Sequence, residues 1–228
     1  MRRSVSACLL GAALLTACAA PAPPRPVTDA DTRLEFYGFS LLPPPGAHWY
    51  FGPQGPYGVV LGKRDPAMAG EAQTFVVSAR LFDTEGVKVD TPEALSRSFS
   101  ERYLPTLTSE RVRLVDSKVR AYRDHGTDCL RYEVVLEERD NAKLPGALLV
   151  LTDHGFQCRH PDSSRHVVHV YYSGRHVRGR PAIGGDLARE AEVSLESVRF
   201  VPISQRFDER VNCVSGGERR WVNRSQCD

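Results

Sequence analysis

Five histidines fall within HGFQCRHPDSSRHVVHVYYSGRH, the run from His154 to His176, and Cys158 lies among them. Imidazole and thiolate are the usual ligands of zinc and copper, and imidazole is the side chain that exchanges protons near neutral pH. The run therefore poses either a metal site or acid–base chemistry, and spacing decides whether the side chains can meet. His166 and His169 are three apart. On a helix they would share a face, whereas on a strand an odd separation puts them on opposite faces. The segment VVHVYY is β-branched and aromatic, which predicts strand, so the two rings should not share an ion. His160 precedes Pro161 in an expected turn, and His176 lies beyond Gly174-Arg175, where the strand is expected to end. No His-x-x-x-His helix motif and no Cys-x-x-Cys pair is present. These histidines are thus expected on the surface or on an edge strand, with no metal and no cofactor. His154, His166 and His169 are the candidate ligands of the alternative, a metal-binding or hydrolytic periplasmic protein.

Nucleophilic chemistry has no better signature. The chain lacks a Gly-x-Ser-x-Gly elbow, a Ser-x-x-Lys pattern and a phosphate-cradling glycine-rich loop. Gly184-Gly185 before the last expected helix could bind an anion at its N-terminus, but a lone Gly-Gly pair is a weak signal. Asp128, Glu133, Glu137 and Glu138 read as strand-edge acids with no evident partner. No catalytic residue is assigned, and the expectation is a protein that is not an enzyme.

The elements around these residues are legible from periodicity. Leu34 to Leu42, His48 to Phe51, Tyr57 to Gly62 and Gln73 to Phe82 read as strands, the first two parted by Pro43-Pro44-Pro45-Gly46. Thr91-Pro92-Glu93 is a helix start, with threonine as N-cap, proline at the first helical position and an acid in the first turn. Leu95, Phe99 and Tyr103 then recur every four residues as one apolar stripe, which Pro105 is expected to end. Arg111 to Tyr122 alternates with a shift after Leu114, Cys129 to Glu137 alternates cleanly, and Ala147 to Phe156 and Arg165 to Ser173 follow. A final helix fits Asp186 to Val198, with Leu187, Ala191, Leu195 and Val198 on one face. Strands in succession with short connections predict an antiparallel sheet, and two helices cover it in an α+β domain.

Four cysteines could form two disulfides in an oxidising compartment: Cys129, Cys158, Cys213 and Cys227. A hairpin centred between Lys143 and Leu144 would set Cys129 directly opposite Cys158, near the reach of a disulfide. Cys213 and Cys227 would close the tail, where Ser215-Gly216-Gly217-Glu218 suggests a tight turn. Trp221 among Arg219, Arg220 and Arg224 could meet an envelope protein or peptidoglycan, or could pack back on the sheet.

The N-terminus carries the clearest signal. Arg2 and Arg3 precede an apolar run from Ala7 to Leu15 that is too short to span a bilayer. It closes on Leu15-Thr16-Ala17-Cys18, which resembles the lipobox of bacterial lipoproteins. That resemblance implies cleavage before Cys18, diacylglycerol on its thiol and, with Ala19 following, sorting to the outer membrane; the domain is expected to face the periplasm. Acyl chains on one residue hold firmly, at about 0.8 kcal/mol per buried CH2. The Ala- and Pro-rich AAPAPPRPVTDADT cannot bury enough surface to fold. The expected organisation is a leader over residues 1–17, a tether over 18–32, a domain over 33–202 and a Cys-closed tail over 203–228. Of 30 Lys+Arg, Arg2 and Arg3 leave with the leader, and the remaining 28 balance 28 Asp+Glu. No basic stripe points to nucleic acid.

Tyr37-Gly38-Phe39-Ser40-Leu41, a proline-rich break and His48-Trp49 resemble the opening of PsbP-like domains, and SLESVRF from Ser194 to Phe200 is similar to their close. The resemblance implies an α/β/α sandwich around an antiparallel sheet and an accessory or binding role without catalysis. The cysteine pairs and the tail fall outside that pattern. The chain is therefore expected to be a non-catalytic outer-membrane lipoprotein, its partners the membrane through its lipid anchor and an envelope component.

Overall fold

The computed structural model describes residues 24–64, 73–124, 126–180 and 185–203, together with the backbone of 210–215 and 218–223. The lipobox with Cys18, and Cys227, lie outside the described residues. In chain order come β1 (Leu34–Phe36), β2 (Phe39–Leu41), β3 (Trp49–Gly55), β4 (Gly58–Lys63) and β5 (Thr74–Asp83). Next are α1 (Pro92–Ser98), a π-helical segment (Phe99–Tyr103) and α2 (Leu104–Thr106). Then follow β6 (Val112–Asp124), β7 (Thr127–Glu138), β8 (Leu149–Arg159), β9 (His166–Val177), α3 (Gly185–Glu196) and β10 (Arg199–Phe200). A tail hairpin pairs β11 (Arg210–Ser215) with β12 (Glu218–Asn223).

Seven strands form one antiparallel sheet in the order β3-β4-β5-β9-β8-β7-β6. Two meanders meet at the β5–β9 seam. The helical connection after β5 carries the chain across one face to the far edge, and β6 to β9 then step back toward the centre. Strand parity sorts the side chains between two cores. On one face α1 and the π segment press Leu95, Phe99 and Tyr103 onto Leu130, Tyr132, Val134 and Leu136 of β7. On the other, α3 brings Ala191 and Leu195 onto Phe156, Val168 and Val170, with Phe39 and Leu41 of β2 beside them. β2 also joins β1 and β10 in a small three-stranded sheet. The α+β class and the covering of an antiparallel sheet by two helical layers are as the sequence predicts.

Local signals explain most elements. Thr91 caps α1, its Oγ1 accepting from the Ala94 amide at 3.1 Å. The shift after Leu114 is a β-bulge between Leu114 and Asp116. Cys129 lies directly opposite Cys158, and the two are disulfide-bonded. In the tail, Ser215 pairs with Glu218, and Cys213 is opposite Arg220.

Five expectations need correction. Leu34–Leu42 is two strands, because Gly38 at φ +79° turns the chain between them. The helix does not end before Pro105. The Leu104 amide bonds Phe99 O, five residues back, and this wider turn lets the chain carry Pro105 into one more turn. β9 runs past Gly174-Arg175 to Val177, paired with β5 and then β8, so His176 is inside it. Glu137 is not an unpartnered edge acid: it is 1 % exposed, lying beneath Arg113 and Arg178 with both guanidinium groups on its carboxylate. The Arg113 hydrogen bonds, first of all, hold that carboxyl below its usual range. Finally, β9 is an inner strand, and two of the histidines are in the core.

Residues 25–27 already join the fold. The Phe51 amide donates to Arg25 O and the Val27 amide to Trp49 O, each at 2.8 Å, so this end of the expected tether runs along the outer edge of β3.

Candidate functional site

The five histidines are distributed to separate places. His154 projects to the α3 face of β8, stacked on Tyr172 with centroids 5.0 Å apart. Burial holds its pKa below the ordinary value, against the pull of Glu133. His166, at the start of β9, has Nδ1 2.8 Å from Ser163 Oγ. Tyr172, the cross-strand neighbour of His154, is six residues along β9 from His166, roughly 20 Å at strand rise. His169 points to the opposite, α1 face, as its odd spacing requires. Among the described residues no group of three His, Cys, Asp or Glu is placed to hold a metal ion.

His160 is a structural clamp. It is fully buried after β8, with Nε2 2.9 Å from Gly38 O and 3.1 Å from Val201 O, while Nδ1 accepts from the Asp162 amide at 3.1 Å. A ring nitrogen that accepts from an amide cannot carry the proton, so the hydrogen is on Nε2, which donates to both carbonyls. Burial lowers its pKa and keeps this tautomer neutral. The ring ties the turn between β1 and β2, and the chain after β10, to the large sheet.

His169 is the centre of a buried aromatic cluster. Its Nε2 lies 2.5 Å from Tyr132 Oη, and its ring is 4.6 Å from Tyr103 and 4.9 Å from Tyr171 between centroids. The Tyr132 ring also packs against that of Tyr103, with centroids 6.0 Å apart. Gly155 makes the packing possible: it faces Tyr132 on one side and Tyr171 on the other, and a Cβ there would stand 2.4 Å from Tyr171 Cβ. Burial drives Tyr132 well above and His169 well below their ordinary pKa values, the Arg80 charge adding to the second effect. Asp153, buried nearby, is raised by the same desolvation. Tyr103, Tyr132 and His169 are therefore neutral near pH 7.

Beside this cluster the structure opens a cleft of about 520 Å³ between the helical segment and β5. Arg80, Phe82 and Gln157 line its sheet side, and Ser98, Glu101 and Tyr103 its helix side. Sheet register explains the floor: Arg80 is directly opposite His169, and His169 directly opposite Gln157. Gln157 is 2 % exposed, yet its Nε2 has no hydrogen-bond partner among the described residues. The Arg80 guanidinium lies over the Phe82 ring, 5.7 Å from its centroid, and its charge reaches the Tyr103 hydroxyl. Asp83 is taken by Arg165 at 3.2 Å, and Glu85 by Arg102 at 2.6 Å. The π segment puts Tyr103 on the wall, and such segments recur at functional sites.

Periodicity marks Tyr103 as part of an apolar stripe, but it does not single out Gln157, Arg80 or Tyr132 as neighbours of a cleft. Gln157 has one signal in the sequence, since a residue next to Cys158 on a strand must face the other side of the sheet.

No protein-family model matches the chain, and no curated protein matches it. Solved structures give distant likenesses. LpqN, involved in cell envelope biogenesis of Mycobacterium tuberculosis, is 15% identical, covering 79% of this chain and 91% of its own, with a TM-score of 0.39. The lipid transfer and protein localization domain of human StarD13 (DLC2) is 16% identical over 65% and 87%, with a TM-score of 0.25. Scores this low carry no weight for fold or function.

Proposed function

We propose that this chain is an outer-membrane lipoprotein whose α+β domain, held in the periplasm by acylated Cys18, is an accessory binding module and not a catalyst. The observation that carries the binding role is the cleft with the unpartnered Gln157 amide at its floor. Its size lies within the usual range of small-molecule pockets, and it combines apolar surface with a few polar groups. The histidines, the residues best suited to chemistry, are a clamp, a buried neutral ring and scattered surface groups. The arrangement of helical layers on both faces of an antiparallel sheet also matches what the PsbP-like resemblance implies, a family whose members mostly bind or assist other proteins. Leu15-Thr16-Ala17-Cys18 supports the anchor.

Changing Cys18 to Ser and fractionating cells tests the anchor. The expected result is loss of the protein from the membrane pool, and an unchanged pool would overturn lipidation. Metal analysis of the purified protein tests the role: stoichiometric zinc or copper that disappears on His166→Ala or His169→Ala would overturn the non-catalytic reading.

A further inference from the structure

The cleft beneath the π segment specifies more than a binding role, although its choice of ligand presupposes that the domain is a binding module. We infer that it takes a small molecule with an oxyanion, carboxylate or phosphate in type, joined to a flat apolar group. The inference starts from the groups left over when the fold's own pairings are complete. Asp83 and Glu85 are bound to Arg165 and Arg102, so neither offers a free charge to the cleft. Arg80 lines the cleft and has no carboxylate partner among the described residues. Gln157 Nε2 is a donor in a desolvated position with nothing to donate to. A buried donor left unpaired is costly, and an acceptor atom from a ligand removes that cost.

Arg80 and Gln157 flank His169 from the two neighbouring strands, so they project from the same face about two strand spacings apart, roughly 10 Å. Side chains of this length can converge on one oxyanion from either side. Guanidinium is the side chain best shaped for that group. Phe82, over which the guanidinium already lies, gives a flat apolar wall for the remainder of the ligand. Glu101 is the one lining acid without a partner among the described residues, and it is exposed on the helix side of the mouth. Its charge is screened by water there, so it weakens anion binding only modestly.

The test uses the full chain with Cys18→Ser, titrated by fluorescence with 1-anilinonaphthalene-8-sulfonate, an aromatic anion, and in parallel with the neutral N-phenyl-1-naphthylamine. The sulfonate should bind saturably at one site. Arg80→Gln should weaken it roughly tenfold or more, the loss of one charge-assisted pairing. Glu101→Gln should tighten it about two- to fourfold, the scale of one exposed charge. Both positions are exposed, so neither change threatens the fold. Gln157→Leu should weaken the sulfonate more than the amine. If both probes bind equally and ignore Arg80→Gln, the anionic ligand class is overturned while the cleft stands as a binding site. If neither probe binds, the inference and the binding reading fall together, and the anchor remains to be judged by fractionation.

Discussion

His169 should make the domain acid-sensitive, because its burial opposes protonation in the folded state. The ring is fully buried among Tyr103, Tyr132 and Tyr171, and burial, with Arg80 second, holds its pKa well below 6.5. The unfolded chain releases it to an ordinary value of 6.5. A folded pKa lower than the unfolded one gives stability that is fully present above about pH 6.5 and is lost as pH falls, because only the unfolded state takes the proton. With the folded ring still neutral at pH 5, linkage gives a loss of about 2 kcal/mol between pH 7 and pH 5 from this residue alone. His154 and His160 are lowered too and act in the same sense, while Asp153, raised by burial, acts in the opposite one. The comparison with His169→Gln removes their contributions. Glutamine can still bond the Tyr132 hydroxyl but sacrifices ring contacts worth about 0.5–1.5 kcal/mol each. In urea unfolding with the disulfide intact, the variant should be weaker than the parent at pH 7, and the gap should narrow by about 2 kcal/mol at pH 5. Equal losses of stability in parent and variant across that range would refute a neutral, desolvated His169.

Glu190→Gln should cost about 3 kcal/mol in the same assay. Its carboxylate accepts from Lys63 Nζ at 2.6 Å and Trp49 Nε1 at 2.7 Å, and the Lys63 side chain is 3 % exposed, so the change strands a buried cation; a loss under 1 kcal/mol would show that Lys63 reaches water. Gly155→Ala should cost more than 2 kcal/mol, because the new methyl meets backbone as well as Tyr171, whereas Gly55→Ala, with nothing within 4 Å, should stay within about 0.5 kcal/mol. Similar urea midpoints for the two would refute close packing at Gly155. Replacing Cys129 and Cys158 together with alanine frees a loop with a sequence separation of 29, for which chain entropy gives a loss of about 3.5 kcal/mol. A much smaller loss would mean that the β7–β8 hairpin is already formed in the unfolded chain.

What the sequence made legible is what neighbouring residues decide. Thr91-Pro92 fixes a helix start because cap and first turn are contiguous. Alternation in β7 and the cross-strand position of Cys158 fix a register because a hairpin relates its residues by one sum. Parity likewise places His166 and His169 on opposite faces. Parity says nothing of what covers a face, however, and here both faces are covered by segments remote in sequence. The α1–π connection brings Tyr103 over His169, and α3 brings Glu190 to Lys63. The pattern of one strand does not tell whether that strand is at the edge or inside the sheet, which is why it alone does not put His169 and Gln157 in the interior. The π segment is hidden for a related reason, since Leu95, Phe99 and Tyr103 keep a perfect four-residue rhythm while the backbone between the last two widens by one residue. That widening carries the chain through Pro105 and leaves Tyr103 on the wall of the cleft. The position in this molecule most suggestive of ligand binding is thus made by a backbone irregularity and two distant strands, each ordinary by itself, and it exists only once the β5–β9 seam has closed.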